Sequence, residues 1–427
     1  MTAPPSSAAT PPPAASPPPS DFAATPSLWY NRAFLTLWAG QSVSVFGTQI
    51  TTFALPWLVL DLTHTAAAVG VLNAVSFLPY LIFSLPAGMI ADRWNRRTIM
   101  LVCDVARGLI ILSVPIAAAL GQLTLVQIFV VGALMRLFTV FFDVGYVAAL
   151  PNLVEKPQLP DANGRIELTR STAEFSGQPL GGVLVALLTA AGTLALDSLS
   201  YVVSVVSLLF IRAPFSAPRL VREEGSFRQR LMAGMQYVFS DPLLRALALA
   251  PALGNLATSA FLAVVVFRAR DELHFTAFET GLFVGSVAIG QAIAATFVGR
   301  LTKRVPTGQL ILRAVMFQPF VFLLFTLTGN LIVMIALHLT LGAMVTLLNV
   351  PMNSLRQSII PDHVRGRVLA AIRMLVLSMA PVGAIIGGVI ATGFGARATF
   401  AFTAAVIAGA AIFVARSAIP QASLPAR

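Results

Sequence analysis

Long apolar segments recur along almost the whole chain and constrain its fold more than any other feature. Each is about twenty residues long, enough for a helix to cross a hydrocarbon core of about 30 Å. Twelve are present, near 33–60, 66–91, 98–119, 123–150, 166–190, 193–212, 243–268, 277–299, 308–328, 331–355, 367–392 and 396–416. Charged residues make up only 11% of the chain, against about a quarter in soluble domains. The sequence therefore predicts an all-α integral membrane protein with twelve transmembrane helices.

The positive charges fall on one side of the predicted membrane. The connections after the even-numbered spans carry Arg93, Arg96, Arg97, Lys156, Arg165, Arg212, Arg219, Arg222, Arg228, Arg230, Arg300, Lys303, Arg304, Arg356, Arg365 and Arg367. The opposite connections carry only Arg268, Arg270 and Arg397. Because basic loops stay inside the cell, both termini are predicted to be cytoplasmic. The net charge of +11 then reflects topology, and a nucleic-acid partner is not expected.

Several classes of function lack the residues they need. Residues 1–27 are rich in proline and lack a basic residue, which predicts a disordered cytoplasmic tail and not a signal peptide. The single Cys103 and four scattered histidines form no metal-binding or catalytic pattern. No phosphate-binding loop is present, which excludes ATP-driven transport by this chain alone. We therefore expect neither an enzyme nor a bound cofactor or metal.

The chain divides into two halves that repeat one another. The predicted bundles cover 28–212 and 242–418, joined by a cytoplasmic linker at 213–241 with an amphipathic surface helix and followed by a short cytoplasmic tail at 419–427. Gly164, Arg165, Pro179 and Gly181 recur 202 residues later, and Gly88 and Arg93 recur 211 residues later. Parallel six-helix repeats are typical of transporters whose substrate path lies between the halves.

A charged turn separates the second and third spans. Its residues are Gly88, Asp92, Arg93, Arg96 and Arg97. This pattern resembles the motif of the major facilitator superfamily at the same place, and the resemblance covers about residues 30–420. It implies a twelve-helix fold of two pseudo-symmetric bundles and a gating role in which Asp92 contacts the eleventh helix near 366–370. In the alternative interpretation, Asp92 only balances the neighbouring arginines.

A glycine-proline motif lies in the fifth span, at Gly177, Pro179, Gly181 and Gly182. It is similar to a motif of antiporters in this superfamily, although ordinary tight helix packing also explains it. Shorter stretches at 150–154, 196–200 and 241–245 resemble the branch of macrolide-efflux proteins and enterobactin exporters, which are drug:proton antiporters. The resemblance implies export.

Charged side chains inside the predicted spans require a partner or a function, because each costs a few kcal/mol to insert. Asp104 and Arg107 share a face of the third span, and Arg136 and Asp143 share a face of the fourth. Glu167, Arg170 and Glu174 share a face of the fifth span. Asp104, Asp143 and Glu174 lie roughly 9 to 13 Å from the cytoplasmic helix ends, in one layer.

We interpret Glu174 first and Asp143 second as proton-linked carboxylates, with Arg136 as their electrostatic partner. An acid in a partly dehydrated layer can bind either a proton or a cationic or polar substrate. The alternative is a static ion-pair network that holds the helices together. Asp197 is predicted to cap the sixth span at its outer edge.

Polar residues elsewhere in the spans are candidates for the wall of a cavity. Gln41, Gln49 and Asn255 are expected to avoid lipid, and His338 could titrate near neutral pH or serve as a hydrogen-bonded packing residue. Together these features predict a monomeric secondary transporter of the bacterial inner membrane. It would export small amphipathic compounds, drug-like or siderophore-like, in exchange for protons. An importer or symporter, or a non-transporting membrane sensor, are the alternatives.

Overall fold

The computed structural model describes residues 28–211, 215 and 227–423, without the side chains of 85–86, 88–93, 227–228, 230 and 362–363. The predicted N-terminal tail and most of the linker therefore lie outside the described residues. The helices are α1 Arg32–Thr63, α2 Ala66–Arg93, α3 Arg96–Ala119, α4 Leu125–Leu153, α5 Leu159–Phe210, α6 Phe227–Ser240, α7 Pro242–Phe267, α8 Ala277–Arg304, α9 Thr307–Leu327, α10 Leu331–Ile359, α11 Asp362–Phe394 and α12 Ala396–Arg416.

Helix α5 contains two membrane spans. Its 52 residues would extend about 78 Å as a straight helix, more than twice the thickness of a hydrocarbon core. The backbone breaks at Thr189, where φ is 67° and ψ is 165°. We call residues 159–188 α5a and residues 190–210 α5b. With this division the described chain crosses the membrane twelve times, which confirms the predicted number of spans.

Polar residues set the starts of equivalent helices in the two halves. The Asn31 side chain accepts a hydrogen bond from the Phe34 backbone N–H at the start of α1, and the Asp241 side chain accepts from Leu243 and Leu244 at the start of α7. Thr124 and Asn330 cap α4 and α10 in the same way. Since each cap satisfies backbone donors that the helix leaves free, these residues define matching starting points in both halves.

The two bundles use the same packing. In the first, α5 packs on α1 and α3, and α4 packs on α2 and α3. In the second, α7 packs on α11 and α12, α9 on α12 and α10, and α8 on α10. The surface helix α6 lies against α11 and α7. After α12, Ile419 is fully buried, and the backbone N–H of Gly308 donates to the Ala422 carbonyl, so the described part of the C-terminal tail is docked on α9.

Two helix pairs form most of the contact between the halves. Helix α2 packs on α11, and helix α5 packs on α8. In each pair the closest contacts lie toward one end of the molecule, the end that holds the α1–α2 and α7–α8 connections. We call this the closed end. Hydrogen bonds, an ion pair and close glycine contacts join the halves at this end, and the hydrogen bond between Arg373 and Tyr80 joins them near mid-helix.

Candidate functional site

A fully buried ion pair lies at the centre of the first bundle. The Arg107 guanidinium of α3 donates to the Asp104 carboxylate one turn earlier. Ser204 of α5b donates to the other Asp104 oxygen at 2.5 Å, and Gln41 of α1 donates to Ser204 at 2.5 Å. Because buried charges need such partners, this network joins α1, α3 and α5b and leaves Asp104 engaged on both oxygens.

Asp197 forms a second buried site beside it. Thr51 of α1 donates to one carboxylate oxygen at 2.5 Å, and Ser200 donates to the other at 2.9 Å. The sequence interpretation placed Asp197 as a cap at the edge of the sixth span. The helical conformation resumes at 190 instead, so Asp197 lies two turns inside α5b and contacts side chains of α1.

Asp143 and Arg136 have a different environment on α4. Both side chains are exposed, and neither makes a hydrogen bond or ion pair to any residue within the described ranges. Arg107, Arg170, Arg136 and Arg373 all interact electrostatically with Asp143, and Arg373 belongs to the other half. Asp143 is therefore an accessible carboxylate that faces guanidinium groups from both bundles.

Glu174 pairs within its own helix. Its carboxylate lies 3.2 Å from Nε of Arg170, one turn earlier in α5a. The sequence interpretation gave Glu174 the partner Arg136, but the spacing of four residues along a helix favours Arg170. Arg170 is exposed and interacts electrostatically with Asp143, which connects this pair to the same layer. Glu167, one turn closer to the start of α5a, is exposed.

The glycine-proline motif lies where three helices meet. Gly177 packs on the side chain of Gln49, and a Cβ placed on Gly181 would lie 3.2 Å from Cβ of Phe53, both in α1. Gly182 faces the backbone of Ala277 at the start of α8. The motif therefore allows α5a to approach its own bundle and the opposite bundle at once.

Glycines also bring the partner helices together. A Cβ on Gly281 of α8 would lie 2.7 Å from the Gln178 carbonyl oxygen, and a Cβ on Gly70 of α2 would lie 2.5 Å from the Ala384 carbonyl oxygen. Gly70 and Gly281 are 211 residues apart, the same offset as the repeat of the charged turn. The two seams between the halves are thus built by equivalent positions.

An ion pair and a histidine–aspartate hydrogen bond close the same end of the molecule. Asp61 of α1 lies 2.6 Å from Nη2 of Arg270, which follows α7 in a turn of π-helix, Arg268–Glu272. His64 lies 3.0 Å from Asp271. Both pairs cross between the halves, and Asp61 and Asp271 are themselves 210 residues apart.

Comparison with known proteins agrees with this architecture. Residues 24–426 match the model of a major facilitator family described as transmembrane secretion effectors. The chain belongs to this family. It is a multi-pass membrane transporter, not an enzyme.

The transporter resembles known efflux proteins along most of its length. It is 24% identical to a multidrug efflux pump, Tap, of Mycolicibacterium fortuitum, over 83% of this chain and 88% of that protein. It is 22% identical to macrolide efflux protein A of Streptococcus pyogenes, over 88% and 93%. It is 26% identical to the enterobactin exporter EntS of Citrobacter koseri, over 66% of each.

Solved structures share the fold of the transporter. A bacterial homologue of the human lysosomal transporter Spinster, in an inward-facing and occupied conformation, has a TM-score of 0.74 at 12% identity and covers 92% of this chain and 98% of its own. A bacterial homologue of ferroportin in the inward-facing state has a TM-score of 0.69 at 18% identity, over 90% and 98%. Both confirm the predicted major facilitator fold.

The charged turn of the transporter is described in part. Gly88 belongs to α2, and the side chains of Asp92 and Arg93 lie outside the described residues, so the predicted contact of Asp92 with α11 stays a prediction. Arg96 donates to the carbonyls of Ala148 and Phe215, and Arg97 donates to those of Leu208 and Leu209. These two arginines therefore anchor the turn to the first bundle.

The predicted cavity residues of the transporter occupy different environments. Gln41 is buried in the Asp104 network, and Gln49 packs on Gly177. Asn255 of α7 donates to the Val376 carbonyl of α11 at 2.8 Å. His338 is buried among Phe261, Phe283 and Phe325, with Nδ1 3.0 Å from the Phe283 carbonyl oxygen. It is thus placed as a hydrogen-bonded packing residue inside the second bundle.

Sequence reasoning missed one residue of the transporter. Arg373 of α11 donates to the hydroxyl of Tyr80 in α2, so the pair joins the two halves near mid-helix. The sequence contains the signal that would have identified it, because Arg373 is a charged residue inside the eleventh apolar segment. Asp143 and Arg136 were selected by the same criterion. It also lies close enough to interact electrostatically with Asp143 of the first bundle.

Proposed function

We propose that the protein exports small amphipathic compounds from bacterial cells in exchange for protons, and that a single chain performs this transport. The observation that carries the proposal is Asp143, an exposed carboxylate without a partner among the described residues, which faces charges from both halves. Such a group can bind a proton or a substrate as the cavity around it changes.

The distribution of contacts supports alternating access. The glycine seams, the Asp61–Arg270 ion pair and the His64–Asp271 hydrogen bond join the halves at the closed end, and the opposite end lies beyond the mid-helix contact of Arg373 with Tyr80. The basic residues of the sequence cluster at that opposite end, which the positive-inside rule assigns to the cytoplasm. We propose an inward-facing state in the plasma membrane, with both termini cytoplasmic and Asp143 reachable from the cytoplasm.

The direction of transport rests on two supports. The relatives named above are called efflux pumps or exporters, and they align with most of this chain. The glycine-proline motif of α5a also occupies the seam that must open to release a compound on the outside. Both favour export over import.

We assign the coupling proton to Asp143 before Glu174. Glu174 already has Arg170 as a partner in the same helix, so a proton would compete with a local ion pair. Asp104 and Asp197 are buried and hydrogen-bonded on both oxygens. Asp143 alone among these four acids combines exposure with the absence of a hydrogen-bond donor in the described chain.

The test is an accumulation assay in bacteria that lack their own efflux pumps. Ethidium, rhodamine 6G and erythromycin serve as probes, with and without a protonophore. We expect wild-type cells to accumulate at least one probe several-fold less than empty-vector cells, and the protonophore to abolish the difference. Asp143→Asn should abolish it too, whereas Glu167→Gln, which removes an exposed acid two turns nearer the start of α5a than Glu174, should not. Protonophore-insensitive efflux, or active Asp143→Asn, would overturn the coupling proposal, and net uptake would indicate an importer.

A further inference from the structure

We propose that Arg373, Tyr80 and Arg136 bind the acidic group of a zwitterionic amphiphile whose basic group faces Asp143. This inference rests on the proposed export function and narrows its substrate class. The three residues come from α11, α2 and α4, so the site includes both halves of the transporter.

Tyr80 connects the two guanidinium groups. Arg373 donates to its hydroxyl oxygen, and the guanidinium carbon lies 5.7 Å from the centre of its ring. Arg136 belongs to α4, which packs on α2, and it lies on the same face of α4 as Asp143, two turns away. A ligand oxygen near the Tyr80 hydroxyl would therefore meet the Arg373 guanidinium and the phenolic O–H, with Arg136 of the neighbouring helix α4 as a third donor.

The charge of Arg373 lacks compensation in its own half. The acidic residues of the second half are Asp241, Asp271, Glu272, Glu279 and Asp362. Of these, Asp362 alone belongs to the same helix as Arg373, at the start of α11. Arg373 follows Asp362 by eleven residues, about 16 Å along the helix, and Tyr80 is at a similar depth in α2. A cation this deep in the membrane is costly, so it marks a partner or a ligand.

The balance of exposed charges selects an acidic group. Arg136 and Arg373 are both exposed, and neither forms an ion pair with a residue in the described part of the chain. Among the acids of the layer, Asp104, Asp143 and Glu174, Asp143 is the exposed one that pairs with no residue in the described part of the chain. With Asp143 ionised, the layer keeps one excess positive charge, which favours a carboxylate or a similar anion.

Asp143 adds the requirement for a basic group. If a proton and the substrate bind alternately to Asp143, the substrate must carry a group that is attracted to the ionised carboxylate and is displaced when the carboxylate is protonated. A cationic amine is such a group. A compound that is only anionic would bind more tightly after Asp143 is protonated, which opposes exchange. A zwitterion meets both requirements, because its acidic group binds the arginines and its cationic group binds Asp143 in exchange for a proton.

Binding can be measured by equilibrium dialysis with the purified full chain in detergent. The probes are two fluorescent zwitterions, rhodamine B and norfloxacin, each compared with its ethyl ester, which lacks the acid and retains the cationic group. We expect wild type to bind at least one acid more tightly than its ester. Arg373→Gln should raise the Kd of that acid at least tenfold and that of the ester less than twofold. Arg373→Lys should give an intermediate Kd, and Tyr80→Phe a smaller increase.

The matched control is Arg313→Gln, which removes an exposed arginine of α9 in the same half, away from α2. It should leave both affinities unchanged. Heating each unliganded variant with a coumarin maleimide, which reacts as the single buried Cys103 becomes exposed, checks that the variant is folded.

Three results would overturn the inference: neither acid binds to wild type, acid and ester bind alike, or Arg373→Gln weakens both equally. Efflux assays separate this failure from failure of the proposed function. Efflux of rhodamine 6G that depends on Asp143 and is abolished by the protonophore would support export. If such efflux is seen but the protein binds each acid and its ester alike, the proposed function is retained and the acid-binding site is rejected.

Discussion

Asp61 at the end of α1 and Arg270 after α7 form an ion pair of 2.6 Å that joins the two halves at the closed end. Arg270 also donates to the Trp57 carbonyl at 3.1 Å and lies over the Trp57 ring. The contact is partly exposed, with 39% of the Asp61 side chain accessible, so its strength is of the order of 1 kcal/mol or less.

Breaking this ion pair should favour opening of the closed end. We expect Asp61→Asn to increase, by up to about fivefold, the rate at which an impermeant maleimide labels Ala277→Cys from outside in a Cys103→Ser background. Ala277 is buried against Gly182 in the closed state. The exchanged pair Asp61→Arg with Arg270→Asp should restore slow labelling. Equal rates in all three proteins would show that the ion pair does not hold this end closed.

The glycine seam should be more sensitive than the ion pair. Gly281→Ala places a methyl group 2.7 Å from the Gln178 carbonyl, and overpacking of this kind costs about 1–3 kcal/mol. Because the cost falls on the state with a closed seam, we expect at least a fivefold loss of efflux with normal amounts of membrane protein. Gly299→Ala, in the same helix with no atom within 4 Å of its Cβ, is the control and should remain active. Similar activity of both variants would contradict the proposed role of the seam.

The Asp104–Arg107 pair should matter mainly for stability. Removing Arg107 leaves a buried carboxylate unpaired, for which we expect a loss of about 3–5 kcal/mol. Arg107→Met should therefore lower the temperature at which half of the detergent-purified protein aggregates, scored by size-exclusion chromatography. The double variant Asp104→Leu with Arg107→Met removes both charges and should recover part of the loss. If Arg107→Met melts like wild type, the buried network is not a stabilising element.

Much of the fold could be predicted because it follows from length, hydropathy and repetition. A span must be apolar for about twenty residues, so the twelve crossings are visible in the sequence. The two motifs repeat at offsets of 202 and 211 residues. The same offsets separate Gly182 from Ala384 and Gly70 from Gly281, which all lie at the seams between the halves. Equivalent residues thus build equivalent interfaces, as expected for two copies of one bundle.

The site could be predicted only in part, because partners depend on rotation and contact between helices. Helical spacing allows Glu174 to pair with Arg170 in its own helix or with Arg136 of α4. In the structure Glu174 pairs with Arg170. Asp197 looked like a cap because the apolar segments place the start of the sixth span at 193, whereas the backbone breaks at Thr189 and the helix resumes at 190, about one turn earlier. The Tyr80–Arg373 contact joins α2 to α11 across 293 positions, beyond the reach of any local pattern.

The central claim is that Asp143 exchanges protons for substrate. In everted membrane vesicles acidified by respiration, quinacrine fluorescence reports the pH gradient, and added rhodamine 6G, ethidium or erythromycin should partly dissipate it in wild type. We expect Asp143→Asn to give no such response to any of the three, whereas Glu167→Gln should respond like wild type. A wild-type response in Asp143→Asn would contradict the account.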